Sequence, residues 1–292
     1  MRRFKIILSV VFVLGIGFFV ARGCVQPKPP AETGYGLGPL PAKKKIKTAP
    51  PLVAGPPSPA APAAPSKPKA RLAIILDDWG NSYSVLKYAT AVGRPLTLSI
   101  LPHLPNSRRI AEEAHADNLG VMLHMPMQPK SKSERLEPHT ILTTMSDEDI
   151  VTYTEEALES VPYAEGANNH MGSAATSDSR VMRAFLSVLK RQQLFFIDSN
   201  TSANTVGPAV AKELGLQFAK RDVFIDNELK KASIQKELEL AKRIALRRGA
   251  VIVIGHDHKL TLETIAQMAP QFEKEGVKFV RVKDLLAAGE GN

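Results

Sequence analysis

The sequence predicts an α/β domain built on a mainly parallel sheet, and three observations lead there. From Arg71 onward, short apolar runs alternate with helical stretches. The first 70 residues have a composition that builds no core of this kind. Aspartates and histidines follow directly after the apolar runs, where parallel α/β folds gather their active sites.

The chain begins "MRRFKIILSVVFVLGIGFFVARGC". Arg2, Arg3 and Lys5 precede sixteen uncharged, mostly apolar residues, Ile6 to Ala21, which is the layout of a secretory signal. The run is short of the roughly 20 residues that span a bilayer comfortably, unless flanking side chains snorkel. Ala21-Arg22-Gly23 offers a small-x-small cleavage pattern. Residues 1–25 therefore read as a cleaved signal or as a membrane anchor. The leading cations favour a cytoplasmic N-terminus, so either way the remainder is expected to be exported, periplasmic or anchored with the domain outside the cytoplasm. Cys24 is the only cysteine, which excludes an internal disulfide framework.

Residues 26–70 hold thirteen of the 22 prolines and a single aromatic, Tyr35. Such a segment reads as a disordered, partly polyproline linker. It also accounts for the charge. Residues 1–71 carry 12 Lys and Arg against one Glu, so the remaining 221 residues have a net charge of −2 although the chain has +9. The basic balance belongs to the tether and points to a membrane or an anionic cell-wall polymer, with no nucleic-acid groove in the folded part.

The folded domain is expected over residues 71–288. Its strand-like runs are "LAIIL", "LTLSIL", "GVMLHM", "LFFID", "AVIVIG" and "VKFVRV". Helical stretches between them include "SRRIAEEAHAD", "DEDIVTYTEEALESV" and "SRVMRAFLSVLKRQ". Ser146, followed by Asp147, Glu148 and Asp149, reads as a helix start with acidic residues in the first turn. The pattern alone does not separate a barrel from an open doubly wound sheet.

Five segments bring polar residues to strand ends: Asp77-Asp78, His124, Asn168-Asn169-His170, Asp198-Ser199 and the "GHDH" of Gly255 to His258. Carboxylate oxygen and imidazole nitrogen together suit a divalent transition metal with an open position. A nearby carboxylate can then take a proton from water and a separate histidine can protonate a leaving group. Successive side chains on a strand point to opposite faces, so Asp77 and Asp78 both reach a site only if the chain bends at Asp78. Gly80 and Asn81 favour such a bend. Each element has a plainer reading: a turn or helix cap for the aspartates, a core histidine for His124, a hydrogen-bonded turn for Asn168 to His170.

The segments "AIILDDWG", "GVMLHMPMQP", "GANNHMGS", "FFIDSNT" and "VIVIGHDH", in this order, closely resemble the divergent polysaccharide deacetylase family (family 2), related to the NodB-type carbohydrate deacetylases. The resemblance covers roughly Arg71 to Leu286. It implies a distorted (β/α) barrel of about seven strands, of the NodB/glycoside hydrolase-deacetylase type. It further implies Asp77 as general base, Asp78 and His124 as metal ligands, and His256 as general acid. The relatives' second histidine, four residues after the first, is replaced here by Gln128, and His170 stands where many have an arginine. His170 is expected to supply the missing ligand, giving Asp78, His124 and His170 around one divalent ion, with zinc the expected metal. Gln128, Asn169, Asp198, Trp79 and His258 are the candidates for substrate contact or support of the site, Trp79 as a sugar-stacking ring or else a core or lid residue.

The function these features lead to is metal-dependent removal of acetyl groups from N-acetylated sugars in peptidoglycan or another envelope glycan. Two alternatives stand beside it. One is a non-catalytic envelope module that binds glycan or a partner on the same fold. The other is a different metal-dependent amidase or esterase, because the same apparatus activates water toward any carbonyl.

Overall fold

The computed structural model describes residues 69–287. The expected signal or anchor at 1–25 and all but the last two residues of the expected linker at 26–70 lie outside the described residues. Among the described residues, no helix is long and apolar enough to cross a membrane.

Strands and helices alternate throughout. In chain order they are β1 (Ala70–Trp79), α1 (Leu86–Ala91), β2 (Thr97–Ile100), α2 (Ser107–Ala116), β3 (Gly120–Met127), α3 (Asp147–Ser160), β4 (Gly166–Met171), α4 (Ser179–Arg191), β5 (Phe195–Asp198), α5 (Gly207–Leu214), β6 (Phe218–Lys220), β7 (Val223–Phe224), α6 (Lys231–Arg248), β8 (Ala250–His256), α7 (Lys259–Lys274), β9 (Val277–Val280) and α8 (Val282–Ala287). Helix ends follow local chemistry. At α3 the Ser146 hydroxyl accepts the Asp149 N–H at 3.1 Å, with three acidic residues in the first turn, as expected from the sequence. At α6 the last turn stops at Gly249, whose φ of +86° is a left-handed conformation that glycine adopts without a side-chain clash.

The sheet runs β6-β5-β4-β3-β2-β1-β8-β7, and every neighbouring pair is parallel. β8 pairs with β1 from Arg71 to Asp77. On the other edge of β1, β2 takes the C-terminal part and β9 the N-terminal part. No pairing among the described residues joins β6 to β7, so the expected distorted barrel is a curled, open half-barrel. β6 and β7, of three and two residues, are too short to stand out as strands, although β7 lies in the apolar run Val223 to Ile225.

Two apolar clusters record which way each strand residue points. Leu72, Ile74 and Leu76 of β1 pack in the larger cluster with helix residues such as Leu86, Ile110 and Phe272. Ala73 and Ile75 belong to a smaller cluster with Met122, Phe195, Ile197, Ile252 and Ile254, which is the concave face. This alternation is the two-residue period of a strand. Continued to the strand ends, it sends Asp77, Ser99, His124, Asn168, His170 and His256 to the concave face. It sends Asn169 and Asp198 to the helix side.

Asp78 would face the helices too, but the chain bends there. Asp78 has a φ of +67°, and the β1–β2 register advances from Leu76↔Leu98 to Trp79↔Ile100, one residue more on β1 than on β2. This β-bulge turns Asp78 inward beside Asp77 and puts Trp79 into the helix-side core. The bend expected from adjacent aspartates is therefore present, centred on Asp78 itself.

Candidate metal centre

At the C-terminal end of the sheet, Asp78 Oδ1 lies 3.2 Å from His124 Nε2 and 3.0 Å from His170 Nδ1. The two nitrogens are 3.2 Å apart. Three ligand-type atoms at these mutual distances match neighbouring donors that each lie about 2.0–2.2 Å from one cation. Asp78 Oδ1 is buried and has no hydrogen bond of good geometry. Two imidazole nitrogens and a carboxylate oxygen crowded this way are the donor set of a zinc-type site. The residues present therefore fit the expected divalent ion.

The electrostatics follow from burial and mutual charge. Burial pushes the Asp78 carboxyl up, but the close approach and charge of His124 and His170 hold it well below the usual carboxylate range. Burial alone would lower His124; the charges of Asp77 and Asp78 raise it instead. Asp77 is 4% exposed, and burial is the main reason its carboxyl titrates above the ordinary value. Its Oδ1 accepts the Asn168 amide at 2.9 Å, and its Oδ2 lies 3.7 Å from His124 Nε2.

His256 approaches from β8, with Nε2 3.8 Å from Asp78 Oδ2. Its Nδ1 pairs with Asp226 Oδ1 at 2.9 Å. Asp226 Oδ2 accepts the His256 backbone N–H and the Thr261 hydroxyl, both at 2.8 Å. Burial works against the charged imidazole, yet the hydrogen bond and charge of Asp226 push it up to about 9. Next to it, burial and the Asp78 charge push Asp257 up to about 6, and its backbone N–H donates to the Asp77 carbonyl at 3.1 Å.

The model of the divergent polysaccharide deacetylase family matches residues 74–286 of this chain. The chain belongs to that family. Its curated relatives include the uncharacterised protein YibQ of Escherichia coli K12, 35% identical over 216 residues, 74% of this chain and 67% of that protein. An uncharacterised protein of Haemophilus influenzae is 32% identical over 197 residues, 68% of this chain and 70% of that one. Among solved structures, the uncharacterised protein ATU2773 of Agrobacterium tumefaciens C58 has the same fold. Its TM-score is 0.71 at 21% identity, covering 77% of this chain and 92% of that one.

In this deacetylase-family domain, the structure brings Asp77, Asp78, His124, His170 and His256 together. The other candidates sit elsewhere. Trp79 is fully buried in the helix-side core, so no ring face is available to a sugar. Gln128 turns to the following loop, where its Oε1 accepts the Thr143 N–H at 2.7 Å and the Thr143 hydroxyl at 3.0 Å; that carbonyl oxygen clamps a loop. Asn169 accepts the Ser199 N–H at 2.9 Å and donates to the Met171 carbonyl at 2.7 Å, bracing the β4 and β5 ends. Asp198, also buried, accepts from the Asn200 N–H and the Thr205 hydroxyl and shapes its own loop. His258 is exposed at the start of α7, its ring centroid 5.8 Å from that of His256.

Two side chains of the site, Asp226 and Ser99, are absent from the sequence-derived set, and Asn168 enters it only within the segment Asn168-Asn169-His170, with no role of its own. Asp226 follows the three-residue apolar run Val223 to Ile225, of which only two residues form β7, too short to read as a strand. Ser99 and Asn168 are neutral, and only strand parity marks them as inward-facing.

Proposed function

We propose that this domain is a divalent-metal-dependent hydrolase that removes acetyl groups from N-acetylated sugars of a cell-envelope glycan. We also propose that it acts outside the cytoplasm, carried there by the N-terminal apolar segment. One observation carries the reading: three ligand-type atoms, a buried carboxylate and a carboxylate-paired histidine converge from four strands. Family membership favours the substrate class.

Asp78, His124 and His170 would hold the ion, and two nitrogens with one oxygen suit zinc. Bound there, a divalent cation supplies Lewis acidity that polarises an amide carbonyl and acidifies water. Asp77, whose carboxylate accepts the Asn168 amide, would take the proton of the attacking water. With Asp226 on its Nδ1, His256 presents Nε2 to the reacting group. Pushed up to about 9, it is protonated at neutral pH and can give its proton to the departing amine. Water and the N-acetyl group thus become acetate and a free amino sugar.

The test is elemental analysis of the purified protein together with acetate release from N-acetylated envelope glycans. Stoichiometric metal is expected, with release that falls about 10²–10⁴-fold in Asp77→Asn. Stoichiometric metal without release from any envelope glycan would replace this reading with that of a glycan- or partner-binding module. Release from other amides or esters alone would make the protein a different metal-dependent hydrolase.

A further inference from the structure

We infer that Asn168 is the positioning residue of the site: its single amide fixes the tautomer of His124 through the oxygen and the place of Asp77 through the nitrogen. The part concerning Asp77 rests on the hydrolase reading; the part concerning His124 rests on geometry alone.

Asn168 is fully buried on the concave face, level with His124 in the β3–β4 register. Its Oδ1 lies 2.5 Å from Ser99 Oγ and 2.7 Å from His124 Nδ1, and its Nδ2 lies 2.9 Å from Asp77 Oδ1. Nδ2 donates to Asp77 Oδ1 and Oδ1 accepts the Ser99 hydroxyl, so the amide oxygen, which can only accept, also faces His124 Nδ1. His124 then has to donate through Nδ1–H. This leaves the lone pair of Nε2 directed toward Asp78 Oδ1 and His170 Nδ1, the form in which an imidazole ligates a cation. The Ser99 hydroxyl occupies the second lone pair of Oδ1. A flipped amide would set its oxygen against the Asp77 carboxylate and lose the bond to it.

The side-chain type matters as much as the place. Among the described side chains, Asn168 is the one that hydrogen-bonds both Asp77 and His124. A carboxylate at 168 would still accept the His124 proton, but would put a second negative charge 2.9 Å from Asp77. An apolar residue would serve neither neighbour.

Asn168→Asp and Asn168→Leu therefore separate the two roles. The measurements are zinc affinity by chelator competition, the ¹H–¹⁵N resonance of His124 Nδ1–H, acetate release, and the crystal structure of the Asp variant. The wild type should show a low-field, slowly exchanging Nδ1–H. Asn168→Asp should keep that resonance and bind zinc within a few-fold of wild type, as judged against second-sphere effects on the order of 10–100-fold. Its Asp77 side chain should turn away from position 168, and acetate release should collapse. Asn168→Leu should lose the resonance and bind zinc about 10–100-fold more weakly. A wild type without the protected resonance, or a Leu variant with unchanged zinc affinity, would overturn the assignment, and the first needs no variant to fold. Asp77 unmoved in the Asp variant would overturn the Asp77 half. Absence of acetate release from the zinc-loaded wild type would sink the hydrolase reading, while the resonance, the affinities and the Asp77 position still decide the role of Asn168.

Discussion

Replacing Asp226 by asparagine should remove most of what keeps His256 protonated at neutral pH. Asp226 is almost completely buried and faces His256 with both oxygens, one on the ring Nδ1 and one on the backbone N–H. His256 titrates at about 9 against an ordinary 6.5. At 1.36 kcal/mol for each pH unit, the difference is worth about 3 kcal/mol between the two protonation states. Burial opposes the charge, and only the more distant Asp77 and Asp78 remain to favour it once the Asp226 charge is gone. In metal-free Asp226→Asn, His256 should therefore titrate near or below about 7. The sign for stability follows. A histidine whose folded value is raised contributes fully below about 6.5, and the contribution is lost as pH rises through about 9. The metal-free wild type should thus lose stability between about pH 7 and 9.5, and the variant should lose much less over that range. The assay is a ¹H–¹⁵N titration of His256 alongside urea midpoints at several pH values. A wild-type value near 6.5, or one that stays near 9 in the variant, would refute the electrostatic argument.

Three other expectations concern single positions. His170→Ala should abolish stoichiometric metal in elemental analysis, and retention of full metal would exclude His170 as a ligand. At Asp78, glycine should be better tolerated than alanine by about 1 kcal/mol in metal-free denaturation, because a φ of +67° strains any residue with a Cβ. In an ordinary strand the order is the reverse, so an alanine variant as stable as the glycine variant would contradict the bend. Gln128→Ala should leave metal content intact but cost about 1–3 kcal/mol, by removing the acceptor of the Thr143 N–H and hydroxyl. Its readouts are the thermal midpoint and proteolytic nicking between Gln128 and Thr143, and a loss of metal would mean that Gln128 belongs to the centre after all.

The fold was legible because parallel α/β chains advertise themselves: buried strands read as apolar runs, and polar residues directly after them sit at one end of the sheet. Asp77, His124 and His256 were found that way. The same alternation excludes Asn169 and Asp198, admits Ser99, and marks Asn168 as the inward-facing member of its pair. It requires a strand to be placed residue by residue, and "GANNHM" has too few apolar residues for that. Trp79 shows the converse. Its burial depends on a one-residue bulge, which inverts parity for every side chain after it. Asp226 follows a three-residue apolar run, Val223 to Ile225, shorter than the runs that mark the other strands, and the two-residue β7 within it is defined by its pairing with β8. The partner of Gln128 lies fifteen residues away across a loop, a distance at which sequence pattern specifies no contact.

The proposed transfer of a ligand from position 128 to His170 has a geometric basis in the sheet. β3 ends at Met127, so Gln128 leaves the strand beside the Ile141 carbonyl, which accepts its backbone N–H at 2.9 Å. On the neighbouring β4, Asn168 stands level with His124 and His170 two residues further on, both facing inward. Adjacent strands are separated by about 4.8 Å, so a long imidazole from the next strand reaches the position that a ligand further along the first strand would otherwise serve. The proposed centre thereby gains a ligand held inside a paired strand, in place of one on a loop. It also becomes dependent on register. A one-residue slip of β4 against β3 would turn His170 toward the helices and remove Asn168 from His124 and Asp77 in the same step. The proposed metal ligand and the residue proposed to orient its neighbour are thus secured by the same β3–β4 pairing, and a change that weakens that pairing should weaken both together.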